Sequence, residues 1–492
     1  MLTSRGFGAK WIRWNLSNLQ QSSFCVKIND VLGHYFVGGK GLKQGDPSSP
    51  MLFNLVPDVF SRMLAKAFNS NFISGIVPHI IPQGLICLQY ADDTILFLNP
   101  KPEYVRNLKW LLACFENLSR LKINYDKCEV VPINMNEDDA KILSQIFCCK
   151  LGDFPLKYLG VPLHYLKLRR EDIQYIIDKI IKRICGWKGR LLSYEAKLVL
   201  LKACIASIPM YLMSAIKFPK WAIKAITSQM AHFFWGNLGD EHKYHLANWG
   251  LISQKKDFGG LGVPNLREFN MALLASWAKR YFMDNDKNWV RLVDHKYRTD
   301  KPNVLWAKQG VGSPFWKGVT WAFEGIRPFY KWKLGNGEKI SFWNDVWVGD
   351  SSLKTQFWDV YEIYQQQHCT VSEVWDGSTL KLTFNRCVES KFMERWHDSI
   401  RIISNVTITN EVDQPIWVLE SSGIYSVKSF YNMINWGGVS TPIWKKFWKF
   451  AVPHRYLVFL WLAFHNKILT KDNLNKRRVV ENLKCLFVMR MK

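Results

Sequence analysis

The chain has 492 residues, which at ~100–200 residues per domain suggests three or four domains. Hydrophobic residues at 48% and aromatic residues at 14% supply a large core and exclude a wholly disordered chain. Lys and Arg number 66 against 41 Asp and Glu, a formal net charge of +25 that points to a polyanionic partner, nucleic acid before a membrane surface.

Residues 5–20 read as a short amphipathic helix. Ser23–Ile28 and His34–Val37 alternate like strands, with Asn29-Asp30 as the turn between them. A breaker-rich loop, GGKGLKQGDPSSP (38–50), follows. It reads as a helix entry, with Ser49 as cap and Pro50 at the first position, as well as a ligand loop. Apolar residues from Met51 to Leu64 then recur at helical spacing, with Pro57 inside the stripe as an expected kink. LICLQYADDTILFL (85–98) reads as two apolar strands around a polar centre. A helix is expected near 103–119 and a strand region at 121–133. The pattern to this point is α+β.

From residue 171 the period becomes helical, with isoleucines from Ile173 to Ile184 forming one stripe. A second helix is capped by Ser193, and a third runs from about Pro219 to Trp235, stopped by Gly236. Leu198–Ile216 is the nearest approach to a membrane span. It contains Lys202 and Pro209, so a buried helix ending before Pro209 is expected, and no membrane partner. FGGLGVPN (258–265) lacks the GK[ST] of a phosphate loop and leads into a helix where Asn265 and Glu268 have capping-box spacing. Residues 285–410 are Trp-rich. WKLGNGEKISFW (332–343) looks like a hairpin across Asn336-Gly337, and IWVLESSGIYSV (416–427) like a second. A basic helical tail follows, with 12 Lys and Arg against 2 Asp and Glu from Thr441 to Lys492. Its Trp444 and Trp448 suit core packing better than base stacking.

The 11 cysteines are scattered singly apart from Cys148-Cys149, a pattern of reduced thiols and not of a disulfide framework. The N-terminal MLTSRGFGAKWIRW lacks the apolar core of a signal peptide. An intracellular protein of nucleus or cytoplasm is expected, not a secreted one.

Asp92-Asp93 is the sharpest chemical signal. Two carboxylates at a hairpin tip are ordinarily a solvated turn. Here apolar flanks on both sides suggest that the tip abuts structure, where paired carboxylates repel unless a divalent metal sits between them. Mg²⁺ suits such hard oxygen ligands and bridges them to phosphates.

GLKQGDPSSPMLFNL followed by LQYADDTILFL resembles the reverse transcriptases of LINE-type (non-LTR) retrotransposons, in their plant form. LKINYDKCEVV (121–131) is similar to the next palm motif, and FPLKYLGVPL (154–163) to the hairpin that grips the primer. Residues 183–219 and 248–280 resemble the thumb and post-thumb region. The stretch from IWVLESSGIYSV onward resembles the C-terminal zinc-binding region. The resemblance implies a ferredoxin-like palm over 1–166 and a helical thumb and post-thumb region over 167–284. It leaves a Trp-rich connector over 285–410 and a zinc-binding-like region over 411–492.

The same resemblance makes Asp92 and Asp93 the metal-binding catalytic aspartates. Gln44, Gly45, Asp46 and Pro47 become the residues that shape the nucleotide and template pocket. Lys127 either neutralises or protonates the leaving pyrophosphate or is a plain exposed lysine. The implied reaction is attack of a DNA primer 3′-OH on a deoxynucleotide α-phosphate, directed by an RNA template, with two Mg²⁺. Lys445, Lys446, Lys449, Arg455, Lys476, Arg477 and Arg478 are the expected phosphate contacts of the tail.

Three departures accompany the resemblance. The strand with the family's first catalytic Asp would precede Met1, so a chain truncated at both ends and impaired in catalysis is expected. Pro57 interrupts the helix after the nucleotide loop, and Arg120 stands where the family has Gly. Val488 occupies the C-x₂-C position after Cys485, so no structural zinc is expected. The rival readings are a non-catalytic nucleic-acid-binding remnant and a pseudogene product.

Overall fold

The computed structural model describes residues 2–476, except 21–22, 39–40, 44, 83, 165, 188–190, 237–243, 285, 298–304, 306–311, 385–389, 439–440 and 451. The chain forms two compact units, Met1–Asp153 and Phe154–Lys492.

The first unit opens with an amphipathic helix, α1 (Ala9–Gln20). Four two-residue strands then nest as a hairpin. β1 (Ser23–Phe24) pairs antiparallel with β4 (Phe36–Val37), and β2 (Lys27–Ile28) with β3 (Val31–Leu32). Asn29 and Asp30 turn it with left-handed φ values of 47° and 65°, which Asn and Asp tolerate. α2 (Ser49–Asn69) runs unbroken through Pro57. Its N-cap is Ser48, one residue before the expected Ser49, whose hydroxyl instead donates to the Lys43 carbonyl at 2.7 Å.

β5 (Cys87–Tyr90) and β6 (Asp93–Leu96) form the expected hairpin, and α3 (Pro102–Ser119) the expected helix. Residues 121–133 are a strand only at β7 (Glu129–Val130). Tyr125–Lys127 is instead a 3-10 turn capped by the Asn124 side chain. β7 pairs in parallel with β8 (Lys150–Leu151), and α4 (Glu137–Phe147) forms the crossover between them. Phe60, Leu64, Ala67, Ile73, Leu108 and Leu112 make the core, where α2 meets α3.

The second unit starts with a hairpin, β9 (Leu156–Tyr158) and β10 (Val161–Leu163). The isoleucine stripe is the buried face of α5 (Glu171–Cys185). Ser193 caps α6 (Tyr194–Leu200), its oxygen accepting from Ala196 N–H. The helical run does not end before Pro209. A π-turn at Leu201–Ile205 widens the backbone and α7 (Ser207–Met213) carries Pro209 within it. A proline offers no N–H to the preceding turn, and widening one turn ahead of it relieves the ring's clash. Tyr194–Met213 is long and apolar enough to cross a membrane, yet Leu201, Ile205, Leu212 and Met213 are buried in the protein core.

α8 (Lys220–Trp235) ends at Gly236 with φ 84°, as its sequence predicts. Asn248 caps α9 (Trp249–Ser253) and Asn265 caps α10 (Leu266–Met283). The expected capping box with Glu268 does not form. Asn265 accepts from Arg267 N–H, and one Glu268 carboxylate oxygen has no hydrogen-bond partner. α11 (Asn288–Tyr297) and α12 (Pro314–Ile326) follow, and α12 packs along α10.

Neither C-terminal hairpin forms as expected. β11 (Tyr330–Lys333) pairs antiparallel with the distant β12 (Gln414–Trp417). The Asn336-Gly337 turn exists, but its partner is Asp413. That buried carboxylate accepts from the N–H groups of Gly335, Gly337 and Lys339 at 2.8–3.0 Å. After β12 the chain turns back with Trp417 N–H donating to the Gly423 carbonyl and Gly423 N–H to the Glu420 carbonyl.

The Trp-rich stretch between β11 and β12 has its own core, with Trp343, Trp347 and Trp375 among α13 (Leu353–Gln356), α14 (Trp358–Ile363), α15 (Val371–Val374) and α16 (Ser390–Ile403). α17 (Val427–Ile434) packs on α10. The tail comprises α18 (Pro442–Phe447), α19 (His454–Phe464) and α20 (Lys471–Lys476). The fold is α+β. Its sheets are all two-stranded among the described residues, so the expected ferredoxin-like sheet is not assembled among them.

Candidate active site

Tyr90 pairs with Asp93 and Gln89 with Thr94, leaving Ala91 and Asp92 as the turn. Ala91 holds a left-handed φ of 52°, so the chain reverses within two residues. Cys87, Leu96 and Leu98 lean on the α2–α3 core, and burial pushes the Cys87 thiol up to about 11. The hairpin is tied to α2 by Ser61, whose hydroxyl donates to the Gln89 side-chain oxygen at 3.2 Å. Asp92 and Asp93 are exposed, and neither is in an ion pair among the described residues. Their carboxylates are therefore available as hard oxygen ligands.

The glycine loop precedes α2 in the same unit. Gly41 and Gly45 have φ values of 86° and 88°, positions that a Cβ would strain. One oxygen of Asp46 accepts from the Ser48 N–H at 3.0 Å and from the Ser48 hydroxyl at 2.9 Å. These bonds hold its carboxyl below the usual range. Asp46 thus shapes the loop as a helix-entry residue, and Pro47 sits in the same turn. Gln44 lies outside the described residues.

Lys127 is exposed at the end of the 3-10 turn and makes no ion pair with Asp92 or Asp93 among the described residues. No group of three or more His, Cys, Asp and Glu side chains gathers among the described residues, so no third carboxylate joins the aspartate pair. The parallel register of β7 and β8 places Cys128 beside Cys149 within hydrogen-bonding distance, a pairing that sequence spacing had hidden. Burial pushes both thiols up, Cys149 to about 11.

In the tail, Lys445, Lys446, Lys449 and Lys476 are exposed, while Arg477, Arg478, Cys485, Val488 and the side chain of Arg455 lie outside what is described. Trp444 and Trp448 are core-facing, as their sequence context suggests. Trp444 stacks on His465 at 4.7 Å, and Trp448 donates to the Lys256 carbonyl at 2.9 Å. The Gly-rich 258–262 segment is their socket. The Gly259 carbonyl meets Trp461 at 2.6 Å and His465 at 2.8 Å, and a Cβ on Gly259 would lie 2.6 Å from Trp444.

Residues 2–163 match the family model of reverse transcriptase (RNA-dependent DNA polymerase), and residues 425–491 that of the zinc-binding region in reverse transcriptase. An Arabidopsis thaliana protein named "Putative ribonuclease H protein" is 25% identical over 66% of this chain and 53% of its own length. The transposon TX1 149 kDa protein of Xenopus laevis is 24% identical over 60% of this chain and 22% of its own. The Pol polyprotein of the Drosophila melanogaster type-2 retrotransposable element R2DM is 36% identical over 47% of this chain and 21% of its own. The chain thus spans about half or less of these three relatives. Two family matches in the order the motifs require, together with relatives from transposable elements, support a non-LTR retrotransposon reverse transcriptase over residues 2–163 followed by the zinc-binding region of such enzymes over 425–491.

Proposed function

We propose that the chain is the polymerase portion of an RNA-directed DNA polymerase of the LINE type. Its palm motifs lie within 1–166, its thumb and post-thumb helices within 167–284, the Trp-rich connector within 285–410 and the zinc-binding-like region within 411–492. Its ligands are an RNA template, a DNA primer and deoxynucleoside triphosphates. The observation that carries this reading is the exposed Asp92-Asp93 pair on a hairpin tip, tied to the helix that follows the glycine loop.

Magnesium, which the family implies, fits these two carboxylates by their exposure and hard oxygen donors. When bound, it supplies charge neutralisation for nucleotide phosphates. Asp46 fixes the shape of the loop through Ser48, and Gly45 takes the left-handed φ of 88° that the turn before α2 requires. Zinc does not fit the described tail. Residues 425–476 contain no cysteine, and only His454 and His465 there could offer a nitrogen ligand. A structural zinc needs four nitrogen or sulfur ligands.

With no third carboxylate beside Asp92 and Asp93 among the described residues, weak or absent elongation is expected, with nucleic-acid binding retained. Primer extension on an RNA template, with Mg²⁺ and then Mn²⁺, checks this. Template-directed elongation that disappears in Asp92→Asn would show an active enzyme and overturn the impairment, while affirming the site. The same extension unaffected by Asp92→Asn and Asp93→Asn would remove the site assignment.

A further inference from the structure

Asn270, buried on α10, accepts from the Phe218 N–H at 2.8 Å and donates to the carbonyls of Met213 and Ile216 at 2.7 and 2.9 Å. Trp277 on the same helix donates to the Ser214 carbonyl at 2.7 Å. These bonds fix the turn that leads into α8, and so bring the N-terminal ends of α8 and α10 to one cavity of about 470 Å³. Its rim carries Lys220 and Lys224 from α8 and Arg267 from α10. All three are exposed, none is in an ion pair among the described residues, and no carboxylate lines the cavity.

This arrangement is unfavourable for the free protein. Lys220 and Lys224 are four apart on one helix face, where like charges repel. Both lie near the positive end of the α8 dipole, and the first turn of α8 has no acidic residue. The crowding reaches Lys217, held below the usual lysine range by burial and by the charges of Arg267 and Lys220. The floor is different in kind. Ile223, Ala231 and Trp249 give the cavity apolar lining, and Thr227 and Ser228 line it too. A second cavity of about 710 Å³ shares Ala231, His245 and Trp249 with the first, so the cleft continues beyond one ligand unit.

We infer that this cleft is a seat for single-stranded nucleic acid, with phosphates on Lys220, Lys224 and Arg267 and one base on the apolar floor beside Trp249. A cationic rim over an aromatic floor is the chemistry of strand binding without sequence reading. The volume is that of a small-ligand site and not of a duplex groove. The inference rests on the nucleic-acid reading of the chain and adds a site separate from Asp92 and Asp93, within the second unit alone.

The experiment uses the full chain and a fluorescein-labelled, unstructured 20-nucleotide RNA, with affinity read by anisotropy from 50 to 300 mM salt. The triple variant K220A/K224A/R267A is expected to bind at least about tenfold more weakly at 100 mM salt. Its log affinity against log salt should be shallower by about 2, from three lost phosphate contacts at ~0.7 each on a single strand. An otherwise identical abasic strand should bind the parent more weakly with an unchanged slope. Unchanged affinity and slope in the triple variant, or equal losses in the surface control K287A/K296A/K317A, would overturn the seat. So would loss of binding to phosphatidylserine vesicles with RNA binding intact. Circular dichroism of each variant separates misfolding from lost contacts, and K224A alone, in mid-helix, gives a partial loss on an undisturbed fold. Primer extension, which depends on Asp92 and Asp93, is read separately, so failure of one reading leaves the other standing.

Discussion

Glu268 carries its carboxylate into a half-buried place on α10 where one oxygen has no partner. Burial pushes its carboxyl above the ordinary value, and the nearby charges of Arg267 and Lys255 only partly oppose this. The folded pKa then exceeds the unfolded one. Stability linked to this group is fully present below the unfolded pKa and is lost as pH rises through the folded value. Glu268→Gln is therefore expected to be more stable than the parent at pH 7, by less than about 1 kcal/mol given partial solvent screening, and equal to it near pH 3.5. Urea midpoints at the two pH values check this, and a larger gain at the acid value would reverse the sign of the argument. The sequence carried the right pair of residues for a capping box at Asn265 and Glu268. It carried no trace of Tyr431, which accepts the role at that helix start by taking the Asn265 N–H at 2.9 Å from 166 residues away.

Elements whose determinants are local were legible. The stripe of α5, the Ser193 cap, the Gly236 stop and the β5–β6 hairpin are where periodicity and turn chemistry put them. Elements whose partner is remote were not. The 332–343 stretch has the turn of a hairpin, but β11 finds its mate in β12, and Asp413 from beside β12 takes the N–H groups of that turn. Pattern reading sees alternation and turns, but not which strand lies next door. The candidate aspartates were legible because two adjacent carboxylates between apolar runs need no distant partner to be noticed.

Arg120 shows the same locality. It caps α3 in the left-handed region with φ 57°, its N–H returning to the Glu116 carbonyl. A residue with a Cβ is strained there by roughly 1 kcal/mol, which glycine avoids. Arg120→Gly should raise stability by about 1 kcal/mol, seen as a higher urea midpoint with the slope unchanged. A loss instead would mean that the Arg120 side chain holds more than its backbone costs.

At the scale of the whole molecule, apolar burial is unevenly shared. Residues 1–153 have one core of six buried side chains where α2 crosses α3. Around it the nested β1–β4 strands expose Ile28 at 67%, Val31 at 71% and Val37 at 66%, and β5 exposes Tyr90 at 65%. A two-stranded hairpin with apolar side chains in water is marginal, since three strands or a packed helix are ordinarily needed. Phe97 N–H to the Ile86 carbonyl extends the β5–β6 ladder itself, and the only isolated bridge next to the hairpin among the described residues pairs Ile76 with Leu85. Pro57 adds a missing hydrogen bond to α2.

The second unit instead has three large cores, with fully buried Trp316, Trp343, Trp417 and Trp461. Amides should therefore exchange in two classes in the full chain. Those of 23–37 and 87–96 should be lost within seconds to minutes, whereas those of α8, α10 and α12 persist for hours, because opening free energy follows buried apolar contact. Hydrogen exchange read by mass spectrometry on the intact chain measures this directly. The same imbalance predicts that residues 1–153 expressed alone aggregate through the β1–β4 and β5–β6 edges, while 154–492 remains soluble and cooperative. Protection of 87–96 as strong as that of α10 would mean that the hairpin's edges are covered in solution, and the expected difference between the two units would then be wrong.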